Sequence, residues 1–145
     1  MKTSENGIEF IKSFEGFSPI PYPCSGGKWT IGYGNRFYPN GNEVTPYDPQ
    51  ITKARAQEIF VKSLVGYENI VNNRIKVDLN QNMFDALVSH TYNTGGSSTL
   101  FKLINDNDPY YADWWLNHYI TANGKKIEGL RRRRGAELEL FLKPI

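Results

Sequence analysis

The chain has one cysteine, Cys24, and two histidines, His90 and His118. A lone cysteine excludes an intramolecular disulfide and any cysteine-built zinc site, and two distant histidines suggest no metal. No metal ion and no cofactor is therefore expected. No hydrophobic run is long enough to cross a bilayer, and the polar start, Met1-Lys2-Thr3-Ser4-Glu5-Asn6-Gly7, carries no secretory stretch or membrane anchor. Net charge is also scarce, at +2. That is far below the footprint of a nucleic-acid-binding domain, although a mildly basic surface favours an acidic wall polymer. Low-complexity sequence is absent and aromatic residues are plentiful, with 3 Trp, 9 Tyr and 8 Phe, which excludes a disordered chain. At 145 residues a single core forms without staples, so one domain over residues 1–145 and a monomer are expected.

Ile8, Ile11 and Phe14 recur at helical spacing, with Phe10 widening the stripe, and Gly16 is the stop. Glu15 therefore falls at the helix end. Pro19, Pro21 and Pro23 forbid helix and predict a stiff extended loop around Tyr22 and Cys24. Trp29, Ile31 and Tyr33 alternate with Thr30, Gly32 and Gly34, a strand with one bulky and one bare face. Asn40-Gly41 signals a tight turn, so residues 28–44 read as a small antiparallel sheet. Thr52 caps a long helix running to about residue 73. Everything downstream reads as helical: Asn80 caps one helix that ends near Gly95-Gly96, Asp108-Pro109 opens another over 110–119, and a last one spans 129–142. The fold class is α+β. A sheet lobe (15–51) is joined by a connecting helix (52–74) to a helical lobe (1–14 and 75–145), with a cleft between the lobes.

Eight residues separate Glu15 from Cys24 and five separate Cys24 from Thr30. The trio sits between Phe14-Glu15-Gly16 and Thr30-Ile31-Gly32-Tyr33-Gly34. In that setting it resembles the catalytic triad of the phage-type lysozymes, glycoside hydrolase family 24, in the form that carries a thiol where most members carry Asp. Gln81 to Ser89, Tyr92-Asn93-Thr94-Gly95, Ser98-Thr99-Leu100 and Gly129 to Arg134 with Glu137 resemble later segments of the family in the right order. One departure is Asn35, where the glycine strand usually ends in His. The resemblance implies a lysozyme-like fold and an endolysin muramidase. Its substrate would be the β-1,4 bond between N-acetylmuramic acid and N-acetylglucosamine, and peptidoglycan its partner. It further implies residence in the host cytoplasm until a holin pore gives access to the wall. A lytic transglycosylase and a non-catalytic peptidoglycan-binding module are the alternatives.

Glycosidic cleavage needs an acid for the leaving oxygen and a second group on the opposite sugar face. Glu15 suits the acid: burial of Phe14 and Phe17 and the negative end of the helix dipole both favour its protonated form. Arg133, at the family position that faces the catalytic Glu, opposes this. Cys24, beside Ser25 and two glycines, is either a nucleophile that retains configuration or a base that inverts it. Thr30 holds the attacking water or orients the thiol. Tyr22 and Asn93 are candidate substrate contacts, one lining a sugar ring and the other bonding an N-acetyl or hydroxyl group. Arg131 to Arg134 encircle their helix, so most are expected in solvent with one pointing inward.

Overall fold

Ser4 starts the first helix by accepting the Gly7 N–H on its hydroxyl at 3.0 Å, and Gly16 at φ 68° stops it. The computed structural model describes residues 1–24 and 26–145; the Ser25 part of the Cys24 loop reading lies outside them. The chain divides into two compact units, Ile8–Val65 and Met1–Gly7 with Gly66–Ile145. Its elements are α1 (Glu5–Glu15), β1 (Ser18–Pro23), β2 (Trp29–Gly32), α2 (Lys53–Arg74), α3 (Gln81–Thr94), α4 (Ser98–Asn105), α5 (Tyr111–Asn117), β3 (Thr121–Ala122), β4 (Lys125–Lys126) and α6 (Glu128–Leu142). The α+β class is borne out.

In the unit Ile8–Val65 the core gathers Ile11, Ile31, Ala56, Ile59, Phe60 and Leu64, with Tyr33 edge-on to Phe60 at 5.7 Å between ring centroids. Burying one such aliphatic side chain stabilises the fold by about 1.5–3 kcal/mol. Thr52 caps α2 as expected, its Oγ1 accepting from Arg55 N at 3.1 Å. The proline-rich segment departs from expectation: it is a strand, paired antiparallel to β2 with Tyr22 opposite Thr30 and Pro23 opposite Trp29. Prolines at alternate positions place their donor-less nitrogens on one edge, which leaves the other edge able to pair. On the proline edge, Pro19 C=O accepts from Ile51 N at 2.9 Å. The Asn40-Gly41 turn does form, but residues 35–43 contribute only isolated bridges, Ile31 to Asn35 and Phe37 to Glu43.

The other unit is built on α3, buried without interruption from Phe84 to Thr91. Asn80 caps it through Met83 N at 2.9 Å, and Gly95, at φ 87°, ends it. Its partner α6 carries the arginine run, and here expectation falls short. Two of the four arginines point inward: Arg133 is 3% and Arg134 0% exposed. Buried cations need a counter-charge, and Glu137, three and four residues on, supplies one. Its Oε2 lies 3.2 Å from Arg133 Nε and 3.1 Å from Arg134 Nη2. Ser89 Oγ of α3 donates to that carboxylate at 2.6 Å and Trp115 Nε1 of α5 at 3.1 Å, so one buried carboxylate ties three helices. Burial pushes the Glu137 carboxyl above the usual range, while Arg134 and Arg133 pull it down. The stretch after α5 is also not all helical. Asn123-Gly124, at φ 53° and 78°, turns β3 back onto β4, a two-residue hairpin signal that was present in the sequence.

His90 is fully buried between the ring edges of Trp115 and Tyr119. Burial, reinforced by the Arg134 and Arg133 charges, lowers its pKa from 6.5 to about 3. The unfolded chain therefore binds the proton first, so this contribution to stability is full above pH 6.5 and is lost as pH falls toward 3. Glu137, shifted upward, has the opposite sign from pH 4.5 upward. We predict that stability falls by about 1.4 kcal/mol per pH unit through the His90 window. In His90→Gln that slope should shrink, as read by urea unfolding at pH 7 and at pH 5.

Candidate active site

Glu15 is the last residue of α1, half-buried, and the glycine strand is what lets the chain pass close to it. A Cβ at Gly34 would stand 3.3 Å from Glu15 Oε1, and Gly34 holds φ 82°, where a side chain is strained in any case. Gly32 does the same one turn earlier: at φ 65° its missing Cβ leaves room for Ala56, which a Cβ would meet at 3.2 Å. The apolar flanks of Glu15 differ from expectation. Phe14 is half-buried against Phe10, at 5.2 Å. Phe17 is 36% exposed, resting on Tyr33 at 5.4 Å with Lys53 Nζ over its face. An exposed Phe17 shields the carboxyl less than the sequence suggests.

Cys24 follows β1 directly, in a turn closed by Cys24 N to Lys28 O at 2.8 Å and Gly27 N to Cys24 O at 2.9 Å. The thiol is half-buried, and the backbone N–H groups of Gly26 and then Lys28 hold it below its ordinary value of 9.0, with a smaller pull from Arg36. That direction raises the thiolate fraction, the form with nucleophilic and basic power. Thr30 faces Tyr22 across the ladder and is 4% exposed. Its Oγ1 donates to Tyr22 C=O at 3.2 Å, so its one proton is committed and its lone pairs alone remain to offer.

Glu15, Tyr22, Cys24 and Thr30 share the unit Ile8–Val65, whereas Asn93 and Arg133 belong to the other. Asn93 is exposed in the last turn of α3, its Oδ1 taken by Arg134 Nη2 at 2.7 Å. Arg133 also donates to Ser89 C=O at 3.2 Å. Sequence reasoning did not single out Arg134 as the partner of Asn93. The available signal was Glu137, spaced to hold two arginines of the run at once. Among the described residues no group of three His, Cys, Asp or Glu is arranged to hold a metal ion. Among the same described residues no helix is long and apolar enough to cross a membrane.

We predict that Gly34→Ala costs about 1–2 kcal/mol of stability from its backbone conformation. It should also cost roughly 10–100-fold in kcat/KM by displacing the Glu15 carboxylate. Gly41→Ala, at φ 90° with nothing near its Cβ, carries the same backbone strain and should leave the rate unchanged. Equal rates in the two variants would remove the Gly34 contact from the site.

Comparison with known proteins gives a consistent outcome. The family described as Phage lysozyme matches residues 12–137. An endolysin of Acyrthosiphon pisum secondary endosymbiont phage 1 is 35% identical, over 97% of this chain and 98% of its own length. Some other curated endolysins that match are longer, and the chain spans 54–62% of them. Among solved structures, an endolysin from Escherichia coli O157:H7 phage FAHEc1 superposes with TM-score 0.85 at 34% identity, covering 98% of this chain and 94% of that one. The muramidase domain of SpmX from Asticaccaulis excentricus also superposes with TM-score 0.85 at 34% identity, covering 99% of both chains.

Proposed function

The chain belongs to the phage lysozyme family and is a peptidoglycan-hydrolysing lysozyme of the endolysin kind, and on that premise we propose that Glu15, Cys24 and Thr30 carry the reaction as the thiol form of the family 24 triad. The bond cleaved is the β-1,4 link between N-acetylmuramic acid and N-acetylglucosamine. Glu15 gives its proton to the glycosidic oxygen as the C1–O bond breaks. Cys24 acts on the opposite face. The observation that carries this reading is the thiol drawn toward thiolate by the Gly26 and Lys28 N–H groups, in the same unit as the Gly34-cradled Glu15.

The Thr30 hydrogen bond favours one of the two thiol roles. With its proton on Tyr22 C=O, the hydroxyl acts toward the reaction as an acceptor only. A thiolate has no proton to give it, but a water does. Thr30 then holds the water, Cys24 takes the water's second proton, and the oxygen attacks C1 with inversion. Tyr22 and Asn93 are each proposed as glycan contacts, and Arg133 as a supporting residue, on the family motif alone. Endolysin and muramidase relatives favour hydrolysis over a lytic transglycosylase or a binding module. The endolysin likeness also supports a monomer held in the host cytoplasm until a holin-type pore admits it to the wall, where it lyses the cell.

Glu15→Gln should lower kcat by about 10²–10⁴-fold while the variant stays folded and still sediments with purified peptidoglycan. The digest should carry reducing muramic ends; anhydro ends would instead make the enzyme a transglycosylase. Cys24→Ser should lose roughly a hundredfold, because a hydroxyl is a far weaker base at neutral pH. Cys24→Asp should keep most activity, since an ionised carboxylate takes over the base role. NMR of the first product should show the inverted anomer. A trapped glycosyl-thioether on Cys24 would reassign the thiol as nucleophile, and full activity in Cys24→Ser would end its catalytic role altogether.

A further inference from the structure

Residues that stand opposite one another in an antiparallel ladder point to one face, and every second residue of a strand returns to it. Tyr22 stands opposite Thr30 and Pro23 opposite Trp29. The next step brings Cys24 to Lys28, with Cys24 N donating to Lys28 O at 2.8 Å. On the other side of β2, Ile31 and Asn35 exchange both backbone hydrogen bonds, at 2.9 and 3.0 Å. Continuing that pairing by one residue sets Arg36 against Thr30. Arg36 therefore shares a ladder face with Tyr22, Cys24 and Thr30, although it lies twelve positions along the chain from the sulfur.

The guanidinium is held there without being used up. It lies over the Phe37 ring, 5.2 Å from its centroid. Its Nη2 is 3.9 Å from Glu43 Oε1, an exposed ion contact and too long for a hydrogen bond. The other titratable and charged groups that border the ladder are Glu15 against Gly34, Tyr22 on β1 and Lys28 on the Cys24 turn. Among the described residues, Arg36 carries the one side-chain charge that favours the ionised sulfur. Thr30 does not assist, because its proton is on Tyr22 C=O. A carboxylate in place of the sulfur would ionise at neutral pH unaided, whereas a thiol gains from a nearby cation.

We propose that Arg36 is a positioning residue of the reaction, a guanidinium that holds the Cys24 sulfur as thiolate and is needed only because the base is a thiol. This rests on the reading of Cys24 as the catalytic base, so the test follows the sulfur separately from cleavage. The sulfur is followed in the whole chain by its rate of alkylation with iodoacetamide, an uncharged reagent that Arg36 does not attract. Arg36→Gln should slow alkylation at pH 7 by roughly 2–4-fold, and about 1 M salt should narrow that gap. Arg36→Lys should keep most of the rate. The gap should close as pH rises past 9.0, the ordinary value of the thiol, since the sulfur then ionises without help. On soluble peptidoglycan fragments at pH 7, Arg36→Gln should lower kcat by a similar factor with KM held, and Arg36→Lys should restore it. Made in Cys24→Asp, Arg36→Gln should add no comparable loss. Equal alkylation in wild type and Arg36→Gln would overturn the proposal. A loss of cleavage as large in the Cys24→Asp background would also overturn it, because the arginine would then serve the fold or the glycan instead. Slower alkylation beside unchanged cleavage would uphold the hold on the sulfur and overturn the base reading of Cys24.

Discussion

The buried carboxylate of Glu137 is the constraint on which the helical unit depends. Two guanidinium groups, an indole N–H and a serine hydroxyl converge on its two oxygens. Each group comes from a helix that would otherwise bury an unmatched polar atom. Removing one member leaves charge without compensation in a region of low dielectric, which costs about 3–5 kcal/mol in comparable settings. Replacing the whole cluster with apolar side chains is often tolerated. The cluster is therefore better understood as a device of geometry than of stability. It holds α3, α5 and α6 in one register, and through Arg134 it reaches the Asn93 amide oxygen at 2.7 Å.

The unit Ile8–Val65 relies on missing side chains. Gly32 and Gly34 adopt left-handed backbone that lets β2 and the residues after it run against Ala56 and the Glu15 carboxylate. Any other residue would be strained there, and its Cβ would crowd its neighbour at 3.2 Å or 3.3 Å. Such a close approach limits the positions available to the carboxylate, and a fixed acid gains rate because little reorganisation remains for the transition state. Thr30 shows the same economy, since one hydrogen bond to Tyr22 C=O both closes the ladder and settles what its hydroxyl can still do.

In the proposed mechanism, a thiol in the base position changes what the surroundings must supply. A carboxylate is ionised at neutral pH without help, whereas a thiol must be brought there. In this chain the help comes from backbone, with the N–H groups of Gly26 and Lys28 first and the charge of Arg36 after them. Backbone donors in a tight turn keep their direction, while a mobile lysine side chain would not. The Cys24 turn, closed by Lys28 O and Gly27 N, is thus part of the acid–base machinery that we propose.

Much of this was legible in the sequence because the signals are local. The caps at Thr52 and Asn80, the stop at Gly16 and the spacing of Glu15, Cys24 and Thr30 each depend on neighbours a few residues away. By themselves they determined the α+β class, the helix starts and the candidate reaction groups. The exposure of Phe17, the pairing of a proline-rich strand and the number of buried arginines were not legible. Each depends on what a distant segment offers: Tyr33 beneath a phenylalanine, a β2 edge that asks nothing of proline nitrogens, and the Ser89 and Trp115 donors of α3 and α5 that bury Glu137 beside its two arginines. Tertiary structure alone decided these, because burial and hydrogen-bond partnership are properties of pairs brought together by folding.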